Sequence, residues 1–514
     1  METKMESDSL FNLLHEYAKS GILRAHMPGH KGKSIAQMPA NLSEIDVTEV
    51  AHFDDLHDAN GILANCQQKA AALYGAQNSF FLVGGATCGI LSAISAALPY
   101  GGHILMARGA HQSAYHAAYL RRLRISYLYS QRSRDAYMTC DTNERGASKD
   151  PSVLNASCEP HISGGSYAPC EPISWQQVEQ ALCEHPEIQA VFIVSPTYEG
   201  RIADVQRIAE VVHQRGIPLI VDEAHGAHLG LHPGLAKSSV QAGADLVIHS
   251  MHKTLPTLTQ SALLHCNSDL IDVALLKRFL RIYQSSSPSY LLLAALENAI
   301  TLLETDAYTL FESFIMRWNK MLDRLHGIKS LKVSISANAP QDVGKLIIST
   351  EKIDLSGKRF YDMLLQDYGI MAEMAAQRYV LLMLSAWNEP DEFDRVTDAL
   401  LELDKRLSEF SKDRPGRVLF DQSQEPSVQT KTVYPLWEAW DQPSISCALE
   451  EAKDKIAADF VTQYPPGIPL LVPGERITGA IIEDIKRRME FSVPIRGVDD
   501  TDGAVKVKIS KIGV

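Results

Sequence analysis

No apolar run in this 514-residue chain reaches the roughly 18 residues that a membrane-spanning helix requires. The opening METKMESDSLFNLL also lacks the apolar core of a secretory signal. A soluble, cytoplasmic protein with no membrane partner is therefore expected. Cysteine is sparse, with eight residues, none in a C-x-x-C pair. That argues against a disulfide scaffold and leaves no Cys/His spacing for a metal, so no metal site is expected. Positive charge is in deficit, 49 Lys and Arg against 62 Asp and Glu, for a net charge of −13. Nucleic-acid binding needs clustered basic residues and is not expected. Neither G-x-G-x-x-G nor G-x-x-x-x-G-K-[ST] occurs, which removes the usual nucleotide loops, and no internal repeat is seen. The balance that remains, 45% hydrophobic and 22% charged, is that of a globular chain long enough for two or three domains.

Short apolar runs alternate with helical patterns. AVFIVSP (190–196) is followed by ADVQRIAEVVHQRG (203–216), IPLIVDEAHGAH (217–228) and GADLVIHSMHK (243–253). Continuous apolar strands with helical crossovers imply a parallel sheet covered on both faces. The fold class is α/β, with ligands at the C-terminal ends of the strands. Residues 131–172, rich in Ser, Gly, Pro and Asn, read as an insertion loop. A helical stretch at 300–325 reads as a spacer to a smaller α+β domain. That domain would hold the strand-like LIIST (346–350) and YVLLMLS (379–385) and a helix over 391–410. The expected division is an arm (1–50), a large domain (51–300), a small domain (301–414) and a C-terminal segment (415–514).

Four stations carry chemistry. IHSMHKTLPT (248–257) places Ser250, His252 and Lys253 just after a strand. A lysine that forms an imine must be held and transiently neutral, and Ser and His beside it suit a phosphate. Lys253 taken alone is otherwise a surface lysine. Asp222 in LIVDEAH ends the preceding strand. It suits the partner of a pyridinium nitrogen, as pyridoxal phosphate (PLP) chemistry requires, but equally a metal ligand or a helix cap. FFLVGGATCGI (80–90) runs a strand into Gly84-Gly85-Ala86-Thr87 and a helix, which makes an anion site or simply a turn. His111, after the strand HILMA, can lie flat on a cofactor ring or be structural. The four in this order suit one cofactor.

Seven segments then stand out: AHMPGHKG (25–32), DVTEVAHFDDLHDANG (46–61), SPTYEGRIADV (195–205), VDEAHGAH (221–228), HSMHKTLPTLTQSA (249–262), SSSPSY (285–290) and YPPGIPLLVPGE (464–475). In these the chain resembles the bacterial ornithine/lysine/arginine decarboxylases, from about residue 8 to about 490. It is similar to their short form, without a receiver-like domain ahead of MPGHKG. The resemblance implies a fold-type-I PLP enzyme with a mainly parallel large domain and a smaller α+β domain. It implies Lys253 as the PLP lysine, Asp222 at the pyridine nitrogen, His111 stacked on the ring, His225 near the imine and Thr197 near the cofactor O3′. Phosphate would be held by Gly85, Ala86, Thr87, Ser250 and His252. It also implies a homodimer, or a multiple of one, in which SSSPSY lends Ser286 or Ser287 to the neighbouring site.

The chain departs from the family pattern at Gly84 and Ala86 in the glycine turn and at Gln112, where a lysine is usual. The implied reaction is decarboxylation of a basic amino acid in polyamine metabolism. Arginine to agmatine is favoured, then lysine to cadaverine or ornithine to putrescine. Glu475 is the expected partner of the substrate's distal cation, unless it serves a helix N-terminus. Asp54 and Asp55 are the second choice, reaching across the dimer. The rivals are another fold-type-I reaction, transamination or aldol cleavage, and a non-catalytic homologue. A transaminase would want an Arg clamp on the substrate carboxylate, and Arg378 lies in a plausible region.

Overall fold

The computed structural model describes residues 23–25, 54–130, 136–137, 171–335, 340–353, 355–412, 430–499 and 505–511. AHMPGHKG beyond Ala25, DVTEVAHF and most of the 131–172 insertion lie outside the described residues.

The large domain is built on a seven-stranded sheet. Its strands are β1 (Asn78–Leu82), β2 (His103–Ala107), β3 (Arg124–Leu128), β4 (Ala190–Val194), β5 (Leu219–Asp222), β6 (Leu246–His249) and β7 (Ala262–Cys266). The order is β1-β7-β6-β5-β4-β2-β3, with β7 antiparallel to both neighbours and the rest parallel. The two-residue period of the strands divides their side chains between two cores. Ile104, Met106, Phe192, Ile220 and Ile248 pack with α1 (Gly85–Ala97) and α2 (Gln112–Leu120). Leu105, Val191, Ile193, Val221 and Val247 face α3 (Trp175–Glu184) and α4 (Val205–His213). Asp222 follows Ile220 by two and so falls on the α1 face.

The predicted spacer is part of a longer helix, α6 (Tyr290–Leu325), which comes after the one-turn α5 (Met251–Thr254) and a further helix over Val273–Tyr283. The 36-residue α6 starts ten residues before the expected 300 because Tyr290, Leu293 and Leu296 are already buried. Its core joins Tyr74 and Met251 of the large domain to Phe360, Val380 and Phe393 beyond. The next sheet is antiparallel. It holds β8 (Lys332–Ile335), β9 (Lys345–Ser349), β10 (Tyr379–Met383) and, beside β10, Met374–Ala375. Helix α7 (Pro390–Lys412) lies nearby in sequence. The insertion contributes to this sheet: Ala136–Tyr137 pairs with β8 at its edge. The C-terminal segment forms two three-stranded sheets and α8 (Gly479–Glu490) around its own apolar cluster.

Candidate active site

One cavity of about 690 Å³ opens at the C-terminal ends of β2, β4, β5 and β6. An open α/β sheet presents its loops to a ligand there. Gly85, Ala86, Thr87, His111, Thr197, Asp222, His225, Ser250, His252 and Lys253 all line it. The sheet topology thus gathers ten of the residues singled out from sequence.

Each is fixed by its element. Gly85 has φ +69°, which only glycine adopts freely, and it opens α1 with no side-chain cap on the first turn. The leading N–H groups of α1 are left for an anion. His111 caps α2: its Nδ1 accepts from the Ser113 N–H at 3.2 Å. Burial, then the charge of Lys253, pulls its pKa down to about 4, so the ring is neutral at pH 7. Thr197 Oγ1 accepts from the Arg201 N–H at 3.1 Å. His252 Nδ1 lies 3.0 Å from the Ser261 carbonyl, an atom that only accepts, so Nδ1 carries the proton.

Asp222 is buried and receives one backbone bond, from the Ala224 N–H at 3.1 Å. Burial raises its pKa, and Lys253 opposes the rise. A carboxylate so placed fits a protonated ring nitrogen. Lys253 sits on the cavity wall with Nζ 3.0 Å from His225 Nε2. It is partly exposed to the cavity but removed from bulk water, and this desolvation lowers its pKa against the pull of Asp222 and Glu373. Next to Asp222, Glu223 accepts from the Ser239 N–H and hydroxyl and from His249 Nε2 at 2.7 Å. His249 in turn meets His265 at 3.1 Å, and His265 meets Ser79 at 2.6 Å. This buried chain ties the ends of β5 and β6 to β7 and β1, and so fixes Asp222 and Ser250.

Five sequence candidates, Glu475, Ser286, Ser287, Asp54 and Asp55, are not on the wall. Glu475 is 0% exposed, and its carboxylate accepts from Arg108 Nη2 at 3.0 Å, the Val472 N–H at 2.9 Å and the Thr430 hydroxyl at 2.5 Å. It is held inside the protein, and the expectation that it meets substrate is corrected. It does not cap the helix either, since α8 is capped by Thr478. Ser286 and Ser287 are exposed on the surface of their own chain. Asp54 is taken up by the N–H groups of Asn60, Gly61, Leu63 and Ala64, and Asp55 caps a 3-10 turn.

Other wall residues escape the sequence reading. Tyr198 and Glu199 lie inside the quoted SPTYEG. Tyr198 donates to Glu373, and Tyr379 donates to Glu199 at 3.1 Å. Glu373, Asp484 and Arg488 come from distant parts of the chain, and no local spacing announces them. Among the described residues two arginines line the cavity, Arg108 and Arg488. Arg108 is bound to Glu475 and two carbonyls, and Arg488 to Asp484 and Gln463. Arg378 is not on the wall and lies against the Phe491 ring. The cavity offers no ready carboxylate clamp among these arginines.

Residues 8–142 and 155–385 match the family model of the Orn/Lys/Arg decarboxylase major domain, and 418–507 match its C-terminal domain. The chain belongs to the ornithine/lysine/arginine decarboxylase family. An arginine decarboxylase of Bacillus anthracis is 29% identical over 504 residues, covering 96% of this chain and 95% of that protein. Lysine decarboxylase A of Pseudomonas aeruginosa shares the fold, with a TM-score of 0.70 at 16% identity over 98% of this chain and 83% of that one. A structure of SPT with PLP shares it more distantly, with a TM-score of 0.50 at 15% identity over 67% of this chain and 77% of that one. This family is one of basic amino-acid decarboxylases, and the wall residues suit PLP in charge and placement.

Proposed function

We propose that this chain decarboxylates arginine to agmatine and that the ten wall residues are its PLP site. The observation that carries the reading is the pairing of a half-buried lysine and a buried carboxylate at or just past the ends of adjacent strands. Lys253 holds PLP covalently, and Asp222 keeps its ring nitrogen protonated. His111, a neutral ring, covers one face. Thr197 meets the O3′ side. The phosphate is held by the first N–H groups of α1 at Gly85, Ala86 and Thr87, and by Ser250 and His252. Bound PLP supplies the electron sink for the pair released when the Cα–carboxylate bond breaks. Carbon dioxide leaves, and Lys253 or His225 returns a proton to Cα. The shortage of a free arginine clamp disfavours transamination, and the acids Glu199, Glu373 and Asp484 suit a cationic side chain. Arginine is chosen over lysine and ornithine on the near full-length match to the Bacillus anthracis arginine decarboxylase. We further assign a cytoplasmic homodimer, with Ser286 or Ser287 reaching the neighbouring site. The test is a product assay with arginine, lysine and ornithine in parallel. Carbon dioxide with agmatine supports the reading. Cadaverine or putrescine as main product replaces the substrate, and a keto acid overturns the reaction type.

A further inference from the structure

Lys345 opens β9 and is 3% exposed, a rare address for a lysine. Its stem passes under Gly200, where an added Cβ would come within 2.7 Å of Lys345 Cβ and Cγ. Among the described residues its Nζ has three partners, none a carboxylate: the Tyr198 carbonyl at 3.0 Å, His225 Nδ1 at 2.8 Å and Met383 Sδ at 3.4 Å. An ammonium has three donors and no acceptor, and these three contacts account for all of them. His225 Nδ1 therefore accepts. The ring's own N–H then sits on Nε2, which lies 3.0 Å from Lys253 Nζ.

We propose that Lys345 is a positioning residue for the decarboxylation: by occupying Nδ1 of His225 it fixes the imidazole N–H on Nε2, aimed at the amine of Lys253. The amine must then accept with its lone pair, so the chain Lys345, His225, Lys253 holds it neutral before PLP is joined to it. This rests on Lys253 being the PLP lysine. The surroundings agree. His225 is desolvated and faces Lys253, Lys345, His252 and His111, which together keep its pKa well below the ordinary imidazole value. Asp222 and Glu373 pull the Lys253 pKa up against its burial. Burial brings Lys345 down to about 8, while Asp342, Glu373 and Glu199 resist the fall and Lys253 adds to it. The sign follows: the ammonium, and with it the fixed tautomer, is present below about pH 8 and is lost above it.

The test uses full-length protein labelled with 15N-histidine, as holoenzyme and after removal of PLP, with His225 assigned by its loss in His225→Phe. Wild type should show Nδ1 unprotonated and Nε2 protonated from pH 6 to about 7.5. In Lys345→Met, which keeps the stem and removes the charge, His225 should show mixed tautomers and protonate at higher pH than in wild type. The pH midpoint for borohydride trapping of PLP on Lys253 should rise, because a neighbouring positive charge is gone. A wild-type His225 with its proton on Nδ1, an imidazolium forming near pH 6.5, or a Lys345→Met midpoint that does not move would overturn the proposal. If Lys345→Met does not fold, the wild-type spectra decide alone. Trapping on a different lysine would sink the Lys253 assignment, whereas the tautomer of His225 reports on Lys345 independently of where PLP is attached.

Discussion

At the scale of the residue, Glu475 shows how a motif can point at the right place for the wrong reason. It ends a proline- and glycine-stiffened loop that does reach the cavity, since Tyr464, Pro465, Pro466, Ile468, Pro469 and Leu470 all line it. The carboxylate itself turns inward and neutralises Arg108, which is also buried. Removing one partner of such a pair leaves an uncompensated charge, typically costing about 3 kcal/mol or more. Glu475→Gln should therefore lower the urea midpoint, and KM for arginine and lysine should change alike. A selective loss for arginine at unchanged stability would return Glu475 to the substrate. Asp222, Lys253 and His111 are legible in the sequence because each follows a strong strand pattern. Lys345 and Glu373 are not, because each reaches the site from a domain whose docking no local spacing encodes.

At the scale of the element, the turn 464–467 and the strand Ile468–Leu471 bring the C-terminal segment to the site beside α8. Gly467 has φ +92°, and a Cβ there would lie 3.0 Å from His111 Cδ2 and 3.1 Å from Nε2. Its carbonyl accepts from the Gln112 N–H at 3.1 Å, so the loop is bonded to the start of α2. Gly467→Ala adds both backbone strain, about 1 kcal/mol or more, and a push on the His111 ring. PLP should dissociate several-fold more readily, as read by the recovery of its visible absorption on titration. Unchanged PLP affinity would mean that His111 does not cover the cofactor. The strands of the large sheet are readable because both their faces are buried and their apolar runs are unbroken. The strand Ala136–Tyr137 is hidden in a polar insertion, where its pairing with β8 is set by tertiary contact rather than by its own pattern. The start of α6 is hidden for a similar reason: QSSSPSY reads as a loop, and only the burial of Tyr290 and Leu293 shows the helix continuing up to it.

At the scale of the whole molecule, the exposure of Ser286 and Ser287 is the open end of the fold. Neither serves its own cavity, and His57 Nε2 already meets the Ser285 carbonyl at 2.8 Å, which pins the loop at the surface. Mixing a Lys253→Ala parent with one carrying Ser286→Ala and Ser287→Ala should restore part of the activity, because some mixed dimers hold one intact site. No recovery from two folded parents would place the loop outside the partner's site. The central claim is more specific still. Two lysines, Lys253 half-buried and Lys345 buried, contact opposite nitrogens of one histidine, and only Lys253 is assigned to PLP. Borohydride reduction of the holoenzyme followed by peptide mass mapping decides it. The account predicts the added PLP mass on the peptide containing Lys253 alone; finding it on Lys345, or on neither, would contradict it.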